Sequence, residues 1–164
     1  MRHITATYKG LIFGILMIIS SLIIFTTLGS FDNSFQYLTY ALYIAAIVWT
    51  LKDFKKQHPE KRKFKDFFSE GFKCFIVIVF LMVAFTFVFV KLNPGLKDQM
   101  ALSYTAELKQ KGNYTPDEIV NMVNNARTYY DTLLTSMAIF GYLVIGAMVT
   151  VVTSLFLMQP KKVQ

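Results

Sequence analysis

The chain has 164 residues, of which 54% are hydrophobic and only 16% charged, with a formal net charge of +7. A soluble domain this small carries about a quarter charged residues and exposes a large surface for its volume, so this much oil needs an apolar solvent. Composition and a mean hydropathy of +0.44 exclude a disordered chain, a collagen-like fibre and an ordinary cytosolic enzyme, and point to a bilayer.

Residues 10–31 form the first uncharged stretch, and 11–29 are almost wholly apolar. At about 1.5 Å per residue, 19 residues of helix reach roughly 28 Å, the hydrocarbon thickness. The basic start, with Arg2 and Lys9, and the small-residue end at Gly29 also fit a signal peptide. The apolar run exceeds the roughly 7–15 residues of a signal core, so a retained helix is expected. Gly10 and Gly14 stand four apart, which lets another helix approach closely.

The second stretch, 34–51, is also uncharged, but only seven of the 17 residues from Phe35 onward are Leu, Ile, Val or Phe. Ala41 and Ala45 supply a small-residue face. Gln36, Tyr40 and Tyr43 share another, with polar groups that lipid would leave unsatisfied, so shielding by protein is expected. Trp49 near one end, with Tyr8, suits an interfacial aromatic belt.

Segment 52–73 holds eight Lys or Arg, and residues 63–75 read KFKDFFSEGFKCF. Phe64, Phe67, Phe68, Phe72 and Phe75 recur at helical spacing, opposite Lys65, Asp66, Ser69, Glu70 and Lys73. The pattern predicts an amphipathic helix in the membrane interface, bending into the third span near Gly71. Its phenylalanines anchor a helix entrance while lysines touch anionic headgroups, at about 1 kcal/mol per basic residue. Docking of a partner on the strip is the alternative; anchoring is the simpler reading because such anchors are routine at membrane edges.

The third stretch, 74–90, has 13 Leu, Ile, Val or Phe in 17 residues. Those residues contribute very roughly 4–8 kcal/mol towards insertion. Phe75, Phe80, Phe85, Phe87 and Phe89 ring its circumference, which predicts a lipid-facing helix. Cys74 has no partner for an intramolecular disulfide and reads as apolar filler.

Asn93-Pro94-Gly95 is a helix stop. Leu96, Met100, Tyr104 and Leu108 then repeat every fourth position up to Lys111, before Gly112-Asn113 breaks the pattern. Thr115-Pro116-Asp117-Glu118 is a capping box that opens a second helix to about Tyr130, with Ile119, Met122, Val123, Ala126 and Tyr130 on one face. The two make a helical hairpin insertion, 95–131, within a single domain of residues 1–164. Narrow stripes need cover, which favours a cap over the bundle mouth against a periplasmic binding surface. The sequon Asn113-Tyr114-Thr115 would matter only in a eukaryotic secretory route.

The fourth stretch, 132–160, is uncharged for 29 residues, so part of it must tilt or emerge into the headgroups. Gly146, Thr150 and Ser154 give it a face of small residues at four-residue spacing.

Twelve Lys and Arg fall in the N-terminus, segment 52–73 and the C-terminus; five fall between residues 91 and 131. The positive-inside rule then places both termini and the middle loop in the cytoplasm. Topology accounts for the basic excess, and nucleic acid is not expected as a partner.

No reaction centre is legible. His3 and His58 lack a Cys or carboxylate cluster at ligand spacing, so no metal or cofactor is expected. Gly141 and Gly146 have the first spacing of a phosphate loop, but Ala147-Met148 follows in place of Lys-Ser/Thr. Capping accounts for Asp117 and Glu118. Ionisable residues are absent from all four apolar stretches, which disfavours a pump or antiporter.

Lys63-Phe64-Lys65-Asp66-Phe67-Phe68, then Gly71-Phe72-Lys73, then the polar helical stretch 97–130 resemble an uncharacterised bacterial inner-membrane family known as a domain of unknown function. The resemblance covers nearly the whole chain. It implies four spans, a basic inner loop, an aromatic-Gly entrance to the third span and a long polar segment before the fourth. It supplies no catalytic residues, and hints at envelope glycan or lipid work.

The expectation is an all-α, multi-pass protein of the cell inner membrane: four transmembrane helices, an interfacial amphipathic helix before the third and an extracytoplasmic hairpin before the fourth. Its expected function is non-catalytic, as an accessory or scaffold subunit contacting the lipid bilayer and a membrane protein partner or its own copy. The alternative is a binding protein or carrier for a lipid or small apolar molecule, with a pocket near Gln36, Tyr40 and Tyr43. A part in lipid-linked glycan metabolism, as subunit or enzyme, ranks third for want of convergent polar groups.

Overall fold

A computed structural model describes residues 4–28, 33–60 and 63–158. They are helical almost throughout: α1 (Ala6–Leu28), α2 (Asn33–Gln57), α3 (Phe64–Leu92), α4 (Gly95–Lys111) and α5 (Pro116–Met158). Three helices are long and apolar enough to cross a membrane, over Ala6–Thr27, Phe64–Leu92 and Pro116–Met158. α2 is as long as these need to be, but Thr, Tyr and Ala dilute its oil and its last turns are charged.

The chain divides into two compact units, one of residues 1–82 with 139–164, the other of residues 83–138. In the first unit, contacts along each helix fix its direction. Lys9 meets Asp53, and four residues further along α1 Phe13 meets Trp49, four residues back in α2, so these two are antiparallel. Gly10 lies on the Cys74 carbonyl and Gly14 on Leu81, so α1 and α3 run in the same sense. Gly146 faces Phe75 and Thr150 faces Gly71, which sets α5 against α3. The start of α1, the end of α2, the start of α3 and the end of α5 therefore share one end of this unit.

Its side chains are distributed inside out relative to a soluble bundle. Outward faces carry Ile15, Ile19, Ile23, Phe80, Val152 and Phe156, all exposed, while Thr50, Thr150 and Ser154 are buried with Tyr43, Cys74 and Ile78. Lipid solvates the first set as well as a core would, and small or hydroxyl-bearing residues let backbones approach.

α3 departs from the lipid-facing expectation. Phe80 is 77% exposed, but Phe67, Cys74, Phe75, Ile78, Val79 and Met82 are all buried, so α3 presents a long packed stripe to its neighbours. A helix with phenylalanine on every side can bury one face and give lipid the other; composition does not choose. The amphipathic stretch is not a separate helix either. α3 is continuous from Phe64 through Gly71, and Gly71 serves to admit the Thr150 side chain rather than to bend the chain.

In the second unit, Gly112 ends α4 at φ 68°, the left-handed conformation that suits glycine. Thr115 opens α5: its backbone N–H donates to Glu118 Oε2 at 2.7 Å, and the Glu118 N–H donates to Thr115 Oγ1 at 3.3 Å. Ala101, Leu108 and Ile119 are buried, and Lys97 Nζ donates to Asp131 Oδ2 at 2.9 Å. Arg127 pairs with Asp98. The helix expected to end near Tyr130 instead continues to Met158, because neither Gly nor Pro interrupts the chain between Tyr130 and Leu133.

Candidate functional site

The small-residue positions are contact points inside the first unit. A Cβ at Gly10 would stand 2.5 Å from the Cys74 carbonyl oxygen, and one at Gly14 2.5 Å from Leu81 Cδ1. At Gly71 it would collide with Thr150, and at Gly146 with the Tyr43 hydroxyl and the Phe75 ring. Thr150 and Ser154 are fully buried, and among the described residues their hydroxyl oxygens have no hydrogen-bond partner. Ala41 and Ala45 differ: both are exposed, and Ala46 takes the buried position on α2.

The polar face of α2 is divided. The Gln36 side chain lies outside the described residues. Tyr40 is half-buried against Tyr142, with ring centroids 6.0 Å apart. Tyr43 is fully buried and donates its hydroxyl to the Tyr142 carbonyl at 2.8 Å, so it is committed to packing α2 on α5 rather than to a pocket.

The aromatic strip at the start of α3 also splits. Phe67 is buried against Phe54 at 5.4 Å, with the rings at 86°. Phe64, Phe68 and Phe72 stack in sequence outside it, with centroids 5.6 and 6.3 Å apart, and Phe72 is exposed. Positions 67, 71, 74 and 78 follow the core face, whereas 64, 68 and 72 follow the neighbouring one; the spacing alone merges them.

The shared end of the helices holds a cavity of about 510 Å³. The first turn of α1, Thr50, Asp53, Phe54, Gln57 and His58 of the α2 end, and Glu70 and Lys73 of α3 line it. Thr5 caps α1, accepting the Tyr8 N–H at 3.3 Å. One turn on, Lys9 is only 2% exposed and pairs with Asp53. Gln57 Nε2 donates to the same carboxylate at 2.8 Å. The Lys9 hydrogen bond holds the Asp53 carboxyl below its usual range, against a smaller opposing effect of burial. Lys9 also sits 5.3 Å from the centroid of the Trp49 ring. On the α3 wall, Lys73 Nζ donates to Glu70 Oε1 at 2.6 Å. His58 Nδ1 lies 3.3 Å from Glu60 Oε1, and its ring leans on Phe54. Nearby, Lys55 Nζ donates to the Leu157 carbonyl at 2.5 Å, satisfying a carbonyl in the last turn of α5.

Reading the sequence placed Lys9 in a tail and missed its burial. The signal was there: Lys9 immediately precedes one uncharged stretch, and Asp53 stands two residues past another. An antiparallel pairing of the two puts these charges at one depth. No group of three or more His, Cys, Asp or Glu that could hold a metal ion occurs among the described residues.

No curated protein and no solved structure matches the chain. A family model does, over residues 8–159, from the first turn of α1 to just past the end of α5, and the chain belongs to that family, described as a protein of unknown function (DUF4199).

Proposed function

We propose that this is a non-catalytic protein of the bacterial inner membrane that crosses the bilayer four times, keeps both termini in the cytoplasm and acts as an accessory or scaffold subunit. The observation that carries the subunit reading is α2. It is the least oily of the long helices, and its outer face sets the small residues Ala41 and Ala45 between Leu38 and Trp49. Gly10, Gly14, Gly71 and Gly146 are filled from within the chain, whereas this face remains to receive a second membrane helix at close range.

Four crossings are supported by direction. α1 and α3 start at the same end of their unit, so a chain that crosses in α1 has to return through α2 before α3 begins. The basic residues cluster at that end, which supports a cytoplasmic assignment. The charged groups of the cavity are engaged with one another, an arrangement suited to binding rather than to proton transfer. The cavity also favours a second reading, as a lipid-binding protein, but with polar walls rather than an apolar pocket at Tyr43.

The test is crosslinking in native membranes with Ala45→Cys, compared with Ile19→Cys on the exposed face of α1. The expected result is a discrete crosslinked species, homomeric or with one partner, from Ala45→Cys only. A solely monomeric product from both variants overturns the subunit reading.

A further inference from the structure

We propose that the cavity between the start of α1, the end of α2 and the start of α3 binds a zwitterionic aminophosphate, the chemistry of an ethanolamine phospholipid headgroup. The inference rests on the reading of the chain as membrane-spanning and adds a ligand class to it. Size permits a small ligand: about 510 Å³ falls within the range of roughly 300–1,000 Å³ typical of such sites. Charge selects among them. The Lys9–Asp53 pair of α1 and α2 and the Lys73–Glu70 pair of α3 line the same space, together with His58. A simple anion would have to lie against two carboxylates, and a simple cation against two ammonium groups. A ligand carrying both signs a few atoms apart meets both demands.

The two ion pairs differ in how freely they exchange. Lys9, 2% exposed and gripped by Asp53, is a fixed part of the wall. Lys73 and Glu70 lie within one turn of α3, and the lysine side chain is 52% exposed. Such a pair opens at little cost because water and salt already screen it. Lys73 can then turn to a ligand phosphate, and Glu70 accepts from the ligand ammonium. The first turn of α1 forms the facing wall; Thr5 caps the Tyr8 amide, which leaves the amides of Ala6 and Thr7 to favour a phosphate. Depth agrees: Tyr8 and Trp49 are both exposed at this end, as aromatic residues are at the level of headgroups.

Trp49 is the single tryptophan and stands beside Lys9, so its fluorescence reports on the cavity. The full chain in detergent is titrated with short-chain phosphatidylethanolamine, short-chain phosphatidylglycerol, free phosphoethanolamine and inorganic phosphate. The expected result is a saturable change with phosphatidylethanolamine, about tenfold tighter than with phosphatidylglycerol, as loss of a charge-assisted hydrogen bond would give. Glu70→Gln and Lys73→Ala each weaken it by about the same factor, and Glu107→Gln on α4 leaves it unchanged. Equal binding of the free compound also supports the aminophosphate chemistry and assigns it a soluble source. Equal affinity for phosphatidylglycerol or inorganic phosphate, no saturation by any probe, or full affinity in both α3 variants overturns the proposal. Extraction of membranes with alkaline carbonate is read separately: release of the protein sinks the membrane reading whatever the titrations show.

Discussion

Lys9 carries a cost that Asp53 offsets. An ammonium group withdrawn this far from water is tolerable only with a carboxylate at hand, and the same contact lowers the carboxyl pKa. The depressed value sets the sign of the pH dependence. Asp53 stabilises the folded chain at any pH above the unfolded carboxylate value of about 3.9, and that contribution is lost as pH falls through the lower folded value. Thermal unfolding in detergent, followed by Trp49 fluorescence, should therefore lose stability below about pH 4. Asp53→Asn should leave Lys9 uncompensated and cost up to roughly 3–5 kcal/mol, with the acid-dependent step reduced. The double variant Lys9→Met with Asp53→Leu should recover most of the loss, because the penalty lies in the unpaired charge rather than in the absence of the pair. An Asp53→Asn protein as stable as the parent, with the same acid transition, would show that Lys9 finds another partner.

At the scale of helices, periodicity and punctuation were good guides where a sequence feature had one structural meaning. Pro94, Gly112 and the Thr115–Glu118 box end or begin helices as their chemistry requires. Boundaries drawn from charge alone failed. Asp131 marks the start of an uncharged stretch but does not break a helix, so α5 spans 43 residues. Helix faces were partly legible for sparse stripes: of Leu96, Met100, Tyr104 and Leu108, Leu108 is buried and the others half-buried, while the buried Ala101 lies off the stripe. They were illegible for α3, where apolar residues occupy every side. The contrast between Gly146 and Gly141 tests the packing of α5. A methyl group at Gly146 collides with Tyr43 and Phe75, whereas one at Gly141 meets nothing within 4 Å. Gly146→Ala should lower stability by about 1–3 kcal/mol and loosen the Tyr43 to Tyr142 hydrogen bond, as overpacking does. Gly141→Ala, on the same helix, should be neutral or stabilise by up to about 1 kcal/mol. Equal losses at both sites, measured by thermal unfolding in the same detergent, would mean that α5 does not pack as described.

For the molecule as a whole, the distribution of charge and the meeting of helix ends bear on the same question from independent sides. Counting Lys and Arg assigns a cytoplasmic side to segment 52–73 without reference to packing. The Lys9–Asp53 pair, the Lys55–Leu157 hydrogen bond and the cavity gather the ends flanking that segment without reference to charge counts. In the proposed four-span topology the turn between α4 and α5 lies outside. Cys74 is fully buried, which leaves introduced cysteines as the reactive thiols. Asn113→Cys should react with a membrane-impermeant maleimide in intact spheroplasts, and Lys63→Cys only after permeabilisation. The reverse pattern would invert the protein and move the headgroup cavity to the opposite leaflet. Labelling of both positions from outside would require an even number of crossings between them, in conflict with a single crossing by α3. Protection of Lys63→Cys and reaction of Asn113→Cys would place the cavity at the cytoplasmic surface, where a partner subunit or the inner leaflet can reach it.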